Sequence, residues 1–356
     1  MAVLKPFQLS IIKTLLDNYH FEQPFSTYFA AQCKQHKNWG SKDRKTYKNA
    51  CYAYFRLGFL IKKGSVESNV LLASMESEEL IQSFQPDDIF PYREFVSNQI
   101  DFTEWTYSLL FLRPVYLAIK KSFTEKVMAW LDENGIAFER ISNECLKVKA
   151  DSKCNPLIEL GWAWIMDIAS QNTAGLIEIK PQEQVWDACS GAGGKSLYLT
   201  NKYGNHFNLT CSDLRLSVLE NLKARFYTAG LKMPRIELAD LNEPFQHKIK
   251  YDKIILDVPC SGSGTWGRSP ENISTITPNN IQGYVNLQRN IVRNAIKNLA
   301  NNGHVYYITC SVFRDENEGN IKYFTENFGL KLRSETYLAD NYRQSDILYL
   351  AELETK

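Results

Sequence analysis

The sequence predicts an α/β protein, in which a mostly parallel sheet with helices on both faces follows a helical amino-terminal segment. From about residue 181, strand-like runs alternate with helical stretches, which is the pattern of a parallel sheet with crossover helices. Residues 1–105 instead place apolar side chains at helical spacing, as in Tyr47, Cys51 and Tyr54. The 356 residues are 44% apolar and 23% charged, which is typical of a globular protein with two or three domains.

Several classes of protein are excluded by composition. No apolar run approaches the ~20 residues of a membrane-spanning helix, and the first residues lack a signal-peptide core. The eight cysteines form no Cys-x-x-Cys pair and have no paired histidines nearby. We therefore expect reduced thiols, no structural metal and a cytoplasmic protein, with a monomer as the default state.

The elements of the α/β region can be placed from these runs. A short mixed segment precedes this region, with a strand at 115–119 and an amphipathic helix at 125–133. The predicted strands that follow are 184–187, 207–213, 235–240, 252–258, 304–309 and 347–350. Helices are predicted at 214–229, 281–300 and 317–328. Because ligands of such sheets bind at the carboxyl ends of the strands, we expect the chemistry there.

Charge is distributed unevenly along the helical segment. Residues 1–65 have a net charge of +8, from eleven basic and three acidic side chains. Residues 66–105 have a net charge of −8, from nine acids and Arg93. This asymmetry favours a polyanionic partner for the basic part, and it fits a solvated helical surface about as well.

A glycine-rich turn follows the first strand of the α/β region. Residues 187–196 read Asp-Ala-Cys-Ser-Gly-Ala-Gly-Gly-Lys-Ser. The glycines allow a tight turn that brings backbone N–H groups against a ligand at the start of the next helix. Cys189 stands where a phosphate-binding P-loop has glycine, and Ser196 stands at the last glycine of the dinucleotide motif. The turn is therefore neither a phosphate-binding P-loop nor a match to the dinucleotide-binding motif.

Aspartates end the next two predicted strands. Asp213 is positioned to accept hydrogen bonds from two ribose hydroxyls, and Asp240 is within reach of an adenine amino group. Either aspartate alone fits a helix cap equally well. Together with the glycine loop they favour a nucleoside-bearing cofactor. Because a diphosphate signature is missing, S-adenosylmethionine is favoured over NAD.

Two cysteines follow the fourth and fifth strands. Residues 256–265 read Leu-Asp-Val-Pro-Cys-Ser-Gly-Ser-Gly-Thr, and residues 307–311 read Tyr-Ile-Thr-Cys-Ser, with Asp-Glu-Asn-Glu at 315–318. Cys260 and Cys310 each lie past the apolar run of their strand in a turn of small residues, so we expect them at the ligand-binding edge. Cys189 and Cys211 fit buried structural positions equally well.

Two thiols and Asp257 fit the methylation of carbon 5 of cytosine. That carbon is a poor nucleophile, and a thiolate that adds to carbon 6 makes the ring enamine-like. A carboxyl group near ring nitrogen 3 stabilises the adduct, and a second group then helps to remove the carbon-5 proton and release the enzyme. The base must leave its stack to reach the pocket. These residues alone do not decide which thiol is the nucleophile.

The three motifs resemble those of the Sun/RsmB-type (Fmu family) RNA cytosine-C5 methyltransferases, in the order and approximate spacing of that family. The resemblance covers about residues 105–356 and, more weakly, the helices before them. It implies a Rossmann-like S-adenosylmethionine-dependent methyltransferase domain at 173–356 and a small α+β domain at 105–172. Residues 1–104 look similar to a helical RNA-binding domain related to the antitermination factor NusB.

The resemblance also implies residue roles. The cofactor loop would wrap the methionine part of S-adenosylmethionine with Cys189, Ser190, Gly191, Ala192, Gly193, Gly194 and Lys195. Asp213 would hold the ribose, Asp240 the adenine side, and Asp257 would lie beside both cofactor and base. Cys310 would be the nucleophile, and Cys260 would assist product release. DNA cytosine methyltransferases instead use as nucleophile the cysteine of the Pro-Cys motif, which is Cys260 in this chain.

The resemblance implies RNA as the substrate, and the NusB-like helices favour ribosomal RNA. A transfer RNA methyltransferase is the alternative. A non-catalytic RNA-binding assembly factor is less favoured, because both cysteines and the aspartates are present. The chain departs from the family at 345–349, where Ser-Asp-Ile-Leu-Tyr replaces a glycine-rich aromatic run, and at Val218, where a basic residue is common.

Overall fold

The computed structural model describes residues 4–339 and 341–355. Residues 1–3 and 356, at the ends of two predicted domains, lie outside the described residues. The chain forms two compact units. The helical unit contains residues 4–112 and 263–278, and the sheet unit contains the described residues of 113–262 and 279–356.

The helical unit is built on amphipathic helices. Tyr47, Cys51 and Tyr54 lie buried on one face of the third helix, which confirms the helical spacing seen in the sequence. Its core is rich in aromatic rings, with Phe25 fully buried and its ring centroid 5.0 Å from that of Phe55. The helices are α1 (Pro6–Asp17), α2 (Phe25–Gln35), α3 (Ser41–Arg56), α4 (Val66–Leu72), α5 (Ser77–Ser83), α6 (Pro86–Ile89) and α7 (Phe102–Ser108).

A segment that follows the Pro-Cys motif in sequence packs into this helical unit. Trp266 is fully buried, and its ring lies 5.6 Å from Phe90 and 6.1 Å from Trp105. Glu271, also buried, accepts a hydrogen bond of 3.1 Å from the backbone N–H of Phe25 at the start of α2. The segment thus groups with the helices, although it falls within the predicted range 173–356. Burial of its apolar side chains accounts for the difference.

A small antiparallel sheet opens the sheet unit. Its strand order is β2-β3-β1-β4, and β1 pairs with both β3 and β4. Leu117, Val127 and Leu146 form part of the core that helix α8 closes. The elements are β1 (Val115–Ile119), α8 (Thr124–Glu133), β2 (Phe138–Ser142), β3 (Cys145–Val148), α9 (Asn155–Glu159), β4 (Ala163–Ile165) and α10 (Ile168–Gly175).

A seven-stranded sheet forms the rest of the sheet unit. Its order is β10-β11-β9-β8-β5-β6-β7, in which β5 to β9 run parallel and β11 runs antiparallel to its two neighbours. The elements are β5 (Gln184–Asp187), α11 (Gly194–Tyr203), β6 (Asn208–Asp213), α12 (Leu216–Ala229), β7 (Arg235–Leu238), β8 (Tyr251–Asp257), α13 (Pro278–Ala295), β9 (Leu299–Thr309), α14 (Glu318–Asn327), β10 (Leu330–Leu338) and β11 (Leu348–Thr355). The predicted Rossmann-like α/β fold is confirmed. Successive strands leave β5 in opposite directions, so a crevice opens between β5 and β8 at the carboxyl ends of the strands.

One strand of this sheet was not predicted from the sequence. Strand β10 is an edge strand whose residues are mostly exposed, so it lacks the apolar run that marks the central strands. Its partner β11 begins two residues after Asp346, which forms a buried ion pair of 2.7 Å with Arg113. Asp346 lies in the run that departs from the family pattern. Within the described residues, no helix is both long and apolar enough to cross a membrane.

We expect Trp266→Ala to destabilise the helical unit by about 3–5 kcal/mol, because the substitution leaves a large cavity among buried rings. Hydrogen exchange followed by mass spectrometry should show faster exchange in α3, α6 and α7. The matched control is Trp186→Ala, which removes a fully buried tryptophan from β5 and should loosen the central sheet instead. Faster hydrogen exchange in β5 and β8 of Trp266→Ala, with unchanged exchange in the helices, would contradict the placement of residues 263–278 in the helical unit.

Candidate active site

The glycine-rich turn between β5 and α11 is held in a shape that only glycine adopts easily. Gly191 and Gly193 have φ angles of +51° and +77°. A Cβ atom on Gly193 would lie 2.8 Å from Cγ of Leu222, so no larger residue fits. The backbone N–H and hydroxyl of Ser190 donate to the carbonyl of Ser212, at 2.9 and 3.1 Å. The turn is therefore fixed before any ligand binds, with N–H groups at the start of α11.

A cavity of about 670 Å³ lies beside this turn, within the sheet unit. Further lining residues include Asp187, Leu214, Arg215, Asn242, Leu287 and Ile291. The predicted site residues that line it are Cys189, Ser190, Gly191, Ala192, Gly194, Lys195, Asp213, Asp240, Asp257, Cys260 and Cys310. Gly193, the remaining predicted residue, faces Leu222 and shapes the turn instead. The structure thus brings the predicted catalytic and cofactor residues to one cavity.

The carboxylate of Asp213 ends β6 and is held by four N–H groups. Gly191 donates its backbone N–H at 3.1 Å, and Arg215 donates its backbone N–H, Nε and Nη2 at 2.9, 3.0 and 3.2 Å. Burial raises the pKa of Asp213, but the hydrogen bonds and charge of Arg215 outweigh it, and the net pKa lies below the ordinary value. An ionised acceptor thus lies at the cavity wall. Asp240, two residues past β7, is exposed and accepts the N–H of Asn242 at 2.9 Å.

Lys195 and Asp257 form an ion pair in the same cavity, with Nζ and Oδ2 2.6 Å apart. Burial lowers the pKa of Lys195, but the charge and hydrogen bond of Asp257 raise it further, and the net pKa lies above the ordinary value. The lysine is therefore positively charged near neutral pH. Because the two residues are 62 positions apart, sequence alone did not pair them.

Asp187 was not among the predicted site residues, although it is the last residue of β5 and lines the cavity. Its Oδ2 accepts a 2.6 Å hydrogen bond from Ser196, while its buried Oδ1 has no hydrogen-bond partner among the described residues. Burial raises the pKa of Asp187 to about 7. Its position at the start of the glycine motif was the signal that could have identified it.

The two predicted catalytic thiols lie side by side. Cys260 follows β8 and Cys310 follows β9, and their sulfur atoms are 3.3 Å apart. The hydrogen bond to Cys310, followed by burial, raises the pKa of Cys260 well above the ordinary value. Cys260 therefore holds its proton at neutral pH. Of the two other cysteines considered from the sequence, Cys189 lines the cavity and Cys211 is buried in β6.

This arrangement suits covalent catalysis by a thiol on a base-like substrate beside a nucleoside-bearing cofactor. A glycine turn of fixed shape, an ionised carboxylate acceptor, a partly buried ion pair and two neighbouring thiols meet in one cavity. Within the described residues, no group of three or more His, Cys, Asp or Glu side chains is arranged to hold a metal ion.

Comparison with known proteins matches residues 174–345 to the family model described as 16S rRNA methyltransferase RsmB/F. The ribosomal RNA small subunit methyltransferase B of Pasteurella multocida is 30% identical over 234 residues, which is 62% of this chain and 52% of that protein. A tRNA (cytosine(72)-C(5))-methyltransferase of Pyrococcus horikoshii is 28% identical over 178 residues, which is 50% of this chain and 45% of that protein. The chain spans about half the length of these curated relatives.

Solved structures share the fold. The crystal structure of PH0851 has a TM-score of 0.74 and 19% identity, and the likeness covers 99% of both chains. The crystal structure of NSun6 from Pyrococcus horikoshii with SFG has a TM-score of 0.64 and 16% identity, over 72% of this chain and 96% of that chain. The resemblance first seen in the three motifs is confirmed, because residues 174–345 of this chain match the RsmB/F methyltransferase family model.

Proposed function

We propose that the protein transfers a methyl group from S-adenosylmethionine to carbon 5 of a cytosine in RNA, through a covalent cysteine adduct. The observation that carries this proposal is the pair of thiols, 3.3 Å apart, in the wall of the cavity that the glycine loop also lines. The family match and the relatives named for rRNA and tRNA methylation support the reaction class.

The cavity fits S-adenosylmethionine, which supplies the methyl group when bound. The glycine loop lines the cavity and suits the methionine part, and the buried Oδ1 of Asp187 offers an unused acceptor. The ionised carboxylate of Asp213 suits the ribose hydroxyls, which would replace the exposed side chain of Arg215. The related NSun6 structure was solved with SFG, an analogue of this cofactor, which supports the assignment.

The geometry also supports separate roles for the two cysteines. The thiolate of Cys310 adds to carbon 6 of the cytosine, which makes carbon 5 nucleophilic. After the methyl transfer, a base takes the carbon-5 proton, the electron pair left behind re-forms the C5–C6 double bond, and the sulfur of Cys310 leaves as a thiolate. Cys260, which keeps its proton because its pKa is raised, can donate a hydrogen bond to that leaving sulfur. Asp257, fixed by Lys195, holds the base edge during these steps.

The helical unit is the proposed site of RNA binding. Helix α3 exposes four basic side chains, Lys42, Arg44, Lys45 and Lys48, on the segment with a net charge of +8. We propose ribosomal RNA as the substrate, from the resemblance of this unit to the NusB-like domain, and the Pyrococcus relative keeps transfer RNA as the second candidate. Bisulfite sequencing of total RNA from a deletion strain would identify the methylated cytosine.

We expect Asp213→Ala to weaken S-adenosylmethionine binding about tenfold or more, because hydrogen bonds from the ribose to a charged acceptor are lost. Isothermal titration calorimetry measures the change. Glu220→Gln, which removes an exposed charge on α12, is the matched control and should bind normally. Equal affinity in Asp213→Ala and wild type would place the ribose elsewhere.

We expect the replacement of Lys42, Arg44, Lys45 and Lys48 by Gln to weaken RNA binding and to flatten its salt dependence. Fewer phosphate counterions are released, so the slope of log affinity against log salt should fall in magnitude by about 3. Substitution is preferable to truncation near residue 105, because truncation would strip the buried Trp266 of its helical partners.

A control with equal charge loss uses four exposed lysines of the sheet unit, Lys232, Lys248, Lys322 and Lys331. These changes should leave most of the salt slope in place. If the α3 variant keeps the wild-type slope while the control loses it, RNA binds the sheet unit rather than α3.

The cysteine roles can be separated by trapping. Cys310→Ala should abolish methylation and form no covalent RNA complex, whereas Cys260→Ala should accumulate protein–RNA complexes that survive denaturing electrophoresis. The double variant should trap nothing. Cys33→Ala, which alters a partly exposed thiol of the helical unit, is the control and should behave as wild type.

Two results would contradict the proposed roles of Cys310 and Cys260. If Cys310→Ala traps RNA and Cys260→Ala does not, the roles are reversed, as in the DNA enzymes. If both single variants methylate RNA normally, the two-thiol mechanism does not operate in this protein.

A further inference from the structure

We propose that Glu316 is the positioning residue that holds the two cysteine loops at a fixed separation, a role that rests on the proposed two-thiol reaction. Glu316 is fully buried behind the thiols, in the short 3₁₀ helix Arg314–Glu316 that follows Cys310. It is not among the residues that line the cavity. Its carboxylate instead accepts hydrogen bonds from both cysteine loops. These are the loop after β8, which carries Cys260, and the loop after β9, which carries Cys310.

On the Cys260 side, Oε2 of Glu316 accepts the backbone N–H of Ser261 at 2.9 Å. The same oxygen accepts Nε2 of Gln288 at 2.8 Å, and that amide also donates to the carbonyl of Pro259 at 2.9 Å. The residues before and after Cys260 are therefore held through one carboxylate oxygen. The backbone at Cys260 has little freedom to move.

On the Cys310 side, Oε1 of Glu316 accepts the hydroxyl of Ser311 at 2.6 Å. The hydroxyls of Ser311 and Ser261 are themselves 3.1 Å apart. One carboxylate thus links the residue after Cys260 to the residue after Cys310. Since each cysteine directly precedes its linked serine, the distance between the sulfur atoms depends on this link.

The surroundings explain why a carboxylate is needed here. The donors that converge on the two oxygens include the Ser261 N–H, the Gln288 amide and the Ser311 hydroxyl. Gln288 is oriented in turn, because its Oε1 accepts Tyr307 at 3.1 Å and Asn320 at 2.7 Å. An amide at position 316 would present two N–H groups to donors, so at least one link would be lost.

The thiol separation can be measured without RNA, by means of phenylarsine oxide. This reagent condenses with two neighbouring thiols, forming two As–S bonds and releasing one water. The full-length wild-type protein should retain it, and Cys260→Ala should not. We expect Glu316→Gln to retain it about tenfold more weakly, because the loops must be ordered again on binding. Asp315→Asn, which changes the adjacent exposed acid, is the matched control and should equal wild type.

A second measurement separates positioning from general damage to the fold. Calorimetry should show normal S-adenosylmethionine binding in Glu316→Gln, while kcat for RNA methylation falls about tenfold and KM for RNA stays constant. If Glu316→Gln does not bind the cofactor, Ser311→Ala takes its place, since it removes one link and keeps the carboxylate. Ser311→Ala is then expected to weaken the retention of phenylarsine oxide and to lower kcat, each by a smaller factor.

Wild-type retention of phenylarsine oxide by a variant that binds the cofactor overturns the proposal. Loss of retention with unchanged kcat also overturns it, because the separation would then not matter for the reaction. If the wild-type protein methylates no RNA while Glu316→Gln still loses the reagent, the proposed function fails and the loop-holding role of Glu316 stands.

Discussion

The site depends on the parallel register of β5, β8 and β9. Asp187 lies opposite Ile255, and Asp257 lies opposite Ile308, so three neighbouring strands end at nearly the same level. The residues just past those ends, including Cys260 and Cys310, must then meet at one edge of the sheet. A slip of the β8–β9 pairing would move the two sulfur atoms apart by several ångströms, because a strand rises about 3.3 Å per residue. The backbone hydrogen bonds between β8 and β9 thus help to set the distance on which the proposed chemistry relies.

The charged groups at this edge are each stabilised by a specific partner. Lys195 is paired with Asp257, Asp213 is held by Arg215 and the glycine loop, and Glu316 accepts hydrogen bonds from Ser261, Gln288 and Ser311. Such pairing is needed because an isolated buried charge is costly, whereas a hydrogen-bonded one can be retained. Asp187 is the exception, since one of its buried oxygens has no partner among the described residues and its pKa rises to about 7. A bound cationic or N–H group would relieve that cost, which fits a site completed by its ligand.

Much of this site could be predicted from the sequence, because its parts are local. The glycine turn, the strand-end aspartates and the two cysteines each belong to a run of a few residues whose geometry follows from strand, turn and helix preferences. The Lys195–Asp257 pair, the Glu316 links and the partnership of Arg113 with Asp346 could not be predicted, because they join residues distant in sequence. Strand β10 escaped prediction for another reason, since an exposed edge strand carries no apolar run. The position of Trp266 could not be predicted either, because only the packing shows that it is buried in the helical unit rather than in the sheet unit.

The placement of residues 263–278 links the two units through the chain itself. The chain enters the helical unit at Ser263, three residues after Cys260, and it returns to the sheet unit in α13, the helix that carries Gln288. The amino-terminal end of the segment thus continues the Cys260 loop, which Glu316 holds. Its carboxyl-terminal end continues into α13, whose Gln288 donates to the Glu316 carboxylate. No single cut separates the proposed RNA-binding helices from the catalytic sheet without stripping Trp266 and Ile273 of their buried surroundings. Because the Pro-Cys loop is tied at Ser261 by a buried carboxylate, the helical segment can be anchored in one core while the cysteine stays fixed in the other.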